Sequence, residues 1–174
     1  MLTEQPSPQW LALWTHSHCE ELVRDQLVAK GFETFLPTVK TWSRRKGARQ
    51  LMAVPMFPGY AFLRHQLDDK MRYVEILKTR GLVRVLGERW DRLTTVPAEE
   101  IEAITRVVDS DVPVLPHPYL RAGQRVRVTE GPLLNVEGIL TQLRPNKGLL
   151  VLSVDVLQRS VSVEVDCTQV VACS

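Results

Sequence analysis

The sequence predicts an α+β domain followed by a small all-β domain. Three observations predict it. In roughly the first hundred residues, short apolar runs alternate with apolar residues at helical spacing, the pattern of helices packed on an antiparallel sheet. The stretch Asp111-Val-Pro-Val-Leu-Pro-His-Pro118 then interrupts this pattern, and its three prolines exclude a helix or a central strand. Beyond it, fewer than sixty residues carry little but short apolar alternation, which argues for a small barrel that leaves no long open edge. The boundaries read as a first domain over residues 8–108, a proline-stiffened linker over 109–118 and a second domain over 119–174.

Each element has its own signal. Trp10-Leu-Ala-Leu-Trp14 is wholly apolar and predicts a buried strand. Ser17-His-Cys-Glu20 matches a capping box, in which the serine hydroxyl covers an orphan amide and the glutamate reaches back. Cys19, Leu22, Val23 and Leu27 then recur at helical spacing, and Gly31 supplies the stop. Phe32 to Trp42 predicts an extended segment interrupted by Pro37, and the polar, basic run Ser43 to Gln50 a hairpin tip or flexible loop. Leu51 to Arg64 predicts one strand, with Pro58 and Gly59 read as a bulge within it. Asp68-Asp69 caps a second helix, Lys70 to Thr79, which Gly81 ends; Leu82 to Leu86 is a short strand ending at Gly87. Pro97, as a first helical residue, opens a third helix with Ile101, Ile104, Val107 and Val108 on one face.

In the second domain Val126 and Val128 alternate with Arg125 and Arg127, and Val161, Val163 and Val165 with Ser160, Ser162 and Glu164. Leu150, Leu152, Val154 and Val156 share a core face, which leaves Val151 and Leu157 on an outward face with Ser153 and Asp155. Valine is stiff at χ1 in a helix, and Gly131, Pro132 and Gly138 suit turns. The domain is therefore expected to rest as β-structure and not as a helical hairpin.

Composition excludes several function classes. The chain has 22 Lys and Arg against 20 Asp and Glu, a net charge of +2, too small to announce nucleic acid by itself. The local cluster Arg44-Arg45-Lys46 with Arg49 is more informative than the total. No stretch approaches the roughly 18 apolar residues of a membrane span. The polar, proline-containing start, Met1 to Pro8, predicts no signal peptide. Three cysteines, at 19, 167 and 173, do not make a disulfide framework, so a reducing cytoplasm is the expected compartment. His16 and His18 have no partners that complete a metal site, the glycines form no phosphate-binding fingerprint, and no nucleophile has a plausible base. The expectation is a protein that is not an enzyme, needs no cofactor or metal and is a monomer.

Two segments carry the functional signal. The first is Val54-Pro-Met-Phe-Pro-Gly-Tyr-Ala-Phe-Leu63. The second is Gly123-Gln-Arg-Val-Arg-Val-Thr-Glu-Gly-Pro-Leu-Leu-Asn-Val-Glu-Gly138, read as a short strand, a Gly-Pro turn and a glycine that re-aims the chain into another strand. In this order and spacing they resemble the NusG family of transcription elongation factors, with the likeness running from Trp10 to Val171. The resemblance implies an N-terminal NGN domain, an antiparallel sheet flanked by helices, and a C-terminal SH3-like KOW β-barrel. It implies that Trp14, Phe57, Pro58, Gly59 and Tyr60 form an apolar depression for the clamp helices of RNA polymerase. It implies that Arg44, Arg45, Lys46 and Arg49 lie near upstream DNA, and that Arg80 faces the nontemplate strand or the polymerase gate loop. Trp42, beside the cluster, either stacks on a base or packs beneath the hairpin, the second reading being favoured.

For the barrel the resemblance implies a partner surface at Val151, Val156, Leu157 and Arg159, taking termination factor Rho or NusE, the ribosomal protein shared with antitermination. The compact passage Lys30 to Pro37 is similar to that of specialised members of the RfaH, UpxY and LoaP sort. Arg72-Tyr73-Val74-Glu75 departs from RfaH, which has a threonine-rich gate-loop contact there. The rival reading is a KOW-containing RNA-binding module of the ribosome. It predicts a strongly basic small domain, whereas residues 111–174 carry six basic and six acidic side chains.

Overall fold

Strand β1 (Gln9–Thr15) is first in the chain and lies in the interior of the N-terminal sheet. The computed structural model describes residues 7–66 and 69–173, and for Arg45 the backbone alone. After β1 come helix α1 (Glu20–Ala29), β2 (Glu33–Phe35), β3 (Thr38–Arg45), β4 (Ala48–Pro55) and β5 (Tyr60–His65). Helix α2 (Lys70–Leu77), β6 (Leu82–Val85), β7 (Gly87–Arg89), β8 (Arg92–Leu93), β9 (Thr95–Val96) and α3 (Ala98–Ser110) follow. The C-terminal part holds β10 (Val114–His117), β11 (Arg125–Val128), β12 (Glu137–Arg144), β13 (Lys147–Val154), β14 (Arg159–Asp166) and β15 (Val170–Ala172). Among the described residues no helix is long and apolar enough to cross a membrane.

The chain divides into two compact units. One takes the chain up to Pro37 together with Pro55–Ala98; the other takes Thr38–Val54 together with the chain from Glu99 onward. In the first unit the sheet runs β2-β5-β1-β6, with β9 also paired to β1. Alternation along β1 sends Leu11 and Leu13 into a core with Val23 and Leu27 of α1 and Ile76 of α2. Trp10, Ala12 and Trp14 lie on the opposite face. This is the expected sheet with helices packed on it.

Two local expectations fail here for identifiable reasons. The N-cap of α1 is Cys19 with no side-chain cap, so Ser17 and Glu20 do not form a capping box. His18 turns the chain with φ 61°, and the Glu20 carboxylate points instead to the Gly59 amide. Leu51 to Arg64 is two strands, because the Tyr60 amide donates to the Phe57 carbonyl (3.0 Å) across a tight turn. Proline second and a glycine at φ 87° third is the combination a type II turn demands. At α2 the expected cap is present: the Asp69 carboxylate accepts from the Met71 amide at 2.8 Å, while Asp68 lies outside the described residues.

In the second unit β3 and β4 form a hairpin closed by Lys46 (φ 51°) and Gly47 (φ 79°), the left-handed pair of a primed turn. Of the two readings of Ser43 to Gln50, the hairpin tip is the one present, with strand almost to the turn. The C-terminal sheet is antiparallel in the order β10-β14-β13-β12-β11-β15, a strand-rich domain consistent with the expected barrel and not a helical hairpin. Part of the segment expected as a linker belongs to it: β10 pairs with β14, with Pro116 opposite Val161. Proline is tolerated there because β10 is an edge strand. Gly138 is required by close approach, since a Cβ there would stand 2.6 Å from the Val151 carbonyl oxygen.

Helix α3 and this sheet line a cleft of about 320 Å³, with Glu100 and Ile104 on the helix side and Ile139, Val151 and Asp155 opposite. Burial, and then the nearby Asp155 carboxylate, push Glu100 up from its ordinary 4.5 to about 7. The folded chain therefore holds this proton to about pH 7, whereas the unfolded chain releases it near 4.5. Between those values the folded state binds more protons, so stability falls as pH rises. Glu100→Gln is expected to stabilise the protein by about 1 kcal/mol at pH 8, after discounting for partial exposure, with most of the gain gone at pH 5. Urea unfolding at the two pH values checks this.

Candidate protein and nucleic-acid interface

The aromatic face of the N-terminal sheet is built by register. Trp14 stands directly across from Tyr60 on β5 and from Arg84 on β6, and Ala12 stands across from Phe62. Phe35 of β2 is paired with Phe62 from the other side. Ring contacts then run through the layer: Trp10 meets Phe35 edge-on at 6.2 Å, Phe35 stacks on Phe62 at 6.2 Å, and Phe57 meets Phe62 edge-on at 6.3 Å.

Burial divides the five expected residues of this site. Trp14 is 44% exposed, Tyr60 half-buried and Pro58 exposed, whereas Phe57 is 2% exposed. Of the residues expected to form the depression, Trp14 and Tyr60 thus reach the surface of the sheet. Phe57 is core beneath them, because the turn that presents Tyr60 drives the Phe57 ring against Phe62. Gly59 contributes backbone: its carbonyl accepts from the Thr15 amide (2.9 Å) and its amide donates to a Glu20 carboxylate oxygen (2.7 Å).

Arg80 lies in the loop between α2 and β6. Its backbone is held on both sides by one side chain, since Gln26 donates to the Arg80 carbonyl at 2.8 Å and accepts from the Arg80 amide at 3.1 Å. The Gly81 carbonyl accepts from the His16 amide at 2.8 Å. The two α1 contacts, Glu20 and Gln26, were missed by sequence reasoning. A signal existed for the first: Glu20 shares the helical stripe of Val23 and Leu27, and an acid in a buried stripe needs a partner.

On the hairpin, Arg44, Lys46 and Arg49 are exposed, and the Arg45 side chain lies outside the described part. Trp42 is 63% exposed and so is not packed beneath the hairpin; the Arg49 guanidinium sits 5.4 Å from its ring centre. On the C-terminal sheet the expected outward face is not outward. Val151 is 1% exposed and Leu157 3%, while Val156 is half-buried and Arg159 exposed. Both faces of β13 are covered, one of them at the cleft with α3, so alternation does not identify a solvent face. After Val154 a single tight turn, Asp155–Leu157, also shifts the parity that strand counting assumes.

Comparison with known proteins decides the family. The family model described as "Transcription termination factor nusG" matches residues 8–105, more than half of the chain. The chain belongs to the NusG family. Among similar proteins, the transcription termination/antitermination protein NusG of Vibrio parahaemolyticus is 26% identical over 183 residues, covering 97% of this chain and 98% of that one. NusG of Thermus thermophilus is 26% identical over 149 residues, covering 82% and 81%. A solved structure described as "Domain interaction in Thermotoga maritima NusG" aligns with a TM-score of 0.57 at 16% identity, covering 97% of this chain and 98% of that one, and shows the same fold. This NusG-family protein is accordingly a transcription factor and not an enzyme.

The burial pattern separates support from surface. Phe57→Ala is expected to destabilise the protein by about 3–5 kcal/mol, as for a buried Phe in a packed core. Trp14→Ala, at a 44% exposed position, is expected to cost well under half of that. Denaturant unfolding of the two variants side by side checks the contrast.

Proposed function

We propose that this protein is an elongation factor that docks on RNA polymerase through the aromatic face of its N-terminal sheet, acting in the cytoplasm as a processivity or antitermination regulator. One observation carries the reading: Trp14, still 44% exposed, stands directly across from half-buried Tyr60 on the next strand, which sets two large aromatic side chains next to each other on one face of the sheet. Large aromatic anchors on a rigid base are what two helices of a partner bury most profitably. The clamp helices of polymerase are that partner in this reading. Arg80, on a loop tied down through its backbone, is directed to the gate loop or the nontemplate strand. The mechanism is mechanical and needs no cofactor: a protein that binds one clamp state more tightly shifts the population toward it, and pausing becomes less favourable.

The hairpin cations serve upstream DNA without reading its sequence. Exposed Arg44, Lys46 and Arg49 support this, because phosphate contacts position a protein but carry no base information. In the C-terminal domain, half-buried Val156 and exposed Arg159 are the contact residues for a second factor, Rho or NusE, in this reading, whereas Val151 and Leu157 are buried. The compact passage from Lys30 to Pro37, with β2 beginning two residues after Gly31, supports a specialised, operon-specific member of the family.

Two measurements test this reading. Trp14→Ala and Tyr60→Ala are each expected to weaken binding to polymerase, or to an isolated clamp-helix fragment, by about 2 kcal/mol in a folded protein. Unchanged affinity in both removes the docking assignment. Neutralising Arg44, Lys46 and Arg49 together is expected to weaken binding to duplex DNA of unrelated sequences alike and to flatten its salt dependence. An unaltered salt slope reduces the tip to a solvated hairpin end.

A further inference from the structure

The segment joining β1 to α1 grips both loops that carry the proposed polymerase contacts. Thr15 and Glu20 hold Gly59 from its two sides: the Thr15 amide donates to the Gly59 carbonyl at 2.9 Å, and a Glu20 oxygen accepts from the Gly59 amide at 2.7 Å. One residue along from Thr15, the His16 amide donates to the Gly81 carbonyl at 2.8 Å. Further up α1, Gln26 brackets the Arg80 backbone, and Lys30 donates to the Glu75 carbonyl at 3.0 Å. Cys19 fills the remaining gap, since a Cβ on Gly81 would lie 2.8 Å from the Cys19 Cβ. Helix α1 thus splints the Phe57–Tyr60 turn and the Thr79–Gly81 loop into one piece.

Glu20 is the unusual member. It is a carboxylate at 6% exposure, and the group it contacts is the backbone amide of the residue before Tyr60. Burying an acid is unfavourable unless its oxygens find donors, and a bond from an amide to a charged oxygen is shorter and stronger than a neutral one. Gly59 is in the left-handed region with φ 87°, and nothing lies within 4 Å of where its Cβ would be, so no side chain packs on the turn at that point. Hydrogen bonds to its backbone hold it there.

We infer that Glu20 is a positioning residue for polymerase docking: its buried carboxylate fixes the Gly59 amide, and through it the placement of Tyr60 beside Trp14. The inference rests on the docking reading above. Glu20 touches no polymerase atom in this account and acts only through the turn.

The test uses the full chain and polymerase, with Glu20→Ala, Glu20→Gln, Tyr60→Ala and the Glu20→Ala/Tyr60→Ala double variant. The Gly59 amide proton resonance reports the hydrogen bond independently of polymerase. Glu20→Ala is expected to move that resonance upfield and weaken polymerase binding about tenfold. Glu20→Gln, which keeps a neutral acceptor, recovers most of both. Because Glu20 acts through Tyr60, the double variant is expected to bind no more weakly than Tyr60→Ala alone. If Tyr60→Ala binds like the wild type, the docking reading itself falls. If Tyr60→Ala weakens binding but folded Glu20→Ala, or Glu20→Gln with a displaced Gly59 resonance, binds at wild-type affinity, the positioning role is overturned. Fully additive losses in the double variant also overturn it.

Discussion

Strand β1 is the constraint on which the N-terminal unit depends. It is flanked by β5 on one edge and by β6 and β9 on the other, so its backbone is committed on both sides. A strand in that position has two faces to satisfy, and its wholly apolar sequence does so with opposite consequences. Leu11 and Leu13 close the helix-packed core at 0% exposure. Trp10, Ala12 and Trp14 build the second face, which grades from ring-packed Trp10 to exposed Trp14. A one-residue slip would exchange the two sets and bury Trp14 in the helical core, so register alone decides whether an aromatic surface exists. The pairing of Trp14 with Tyr60 is therefore a consequence of where β5 begins, and β5 begins where the Pro58-Gly59 turn ends.

That dependence explains why the turn is held through its backbone. A type II turn between two strands fixes a path, but each peptide unit in it retains a donor or acceptor to satisfy. Here Thr15 and Glu20 take both groups of Gly59, and the Phe57 carbonyl takes the Tyr60 amide. The second loop is treated alike, with Gln26 on both groups of Arg80 and His16 on Gly81. The helix that fills the core with Val23 and Leu27 thus aligns two loops with its other contacts, so core packing and loop placement are one structural problem.

Much of this was legible in the sequence. The three helices, the β-period of the C-terminal domain and the Asp69 cap follow from spacing and side-chain chemistry that act over a few residues. What was not legible depends on partners distant in sequence. Glu20 has a capping-box spacing from Ser17, yet its carboxylate accepts from the Gly59 amide, thirty-nine positions away, a partner that the β1–β5 pairing brings near. Val151 and Leu157 read as outward because alternation assumes one wet face; the cover over β13 comes partly from α3, which no local pattern reveals. Phe57 read as part of an apolar surface depression from its motif, but its ring turns onto Phe62 of the next strand and is buried. Residue type singled out the segment; burial within it needed the tertiary contacts.

The two surfaces of the proposed function also differ in physical reach. Aromatic contacts act only on touching, and their strength comes from removing large apolar area from water. Charges reach further, but at physiological salt the screening length is only about 8 Å. With 22 basic against 20 acidic residues, the chain has almost no net charge with which to draw itself to DNA from a distance. The hairpin cations therefore become effective only once something else has brought them within about one screening length of a phosphate. In the proposed reading that something is the Trp14–Tyr60 face. In that reading affinity for polymerase comes first, and the hairpin's phosphate contacts add to it at short range without drawing the chain to DNA from a distance.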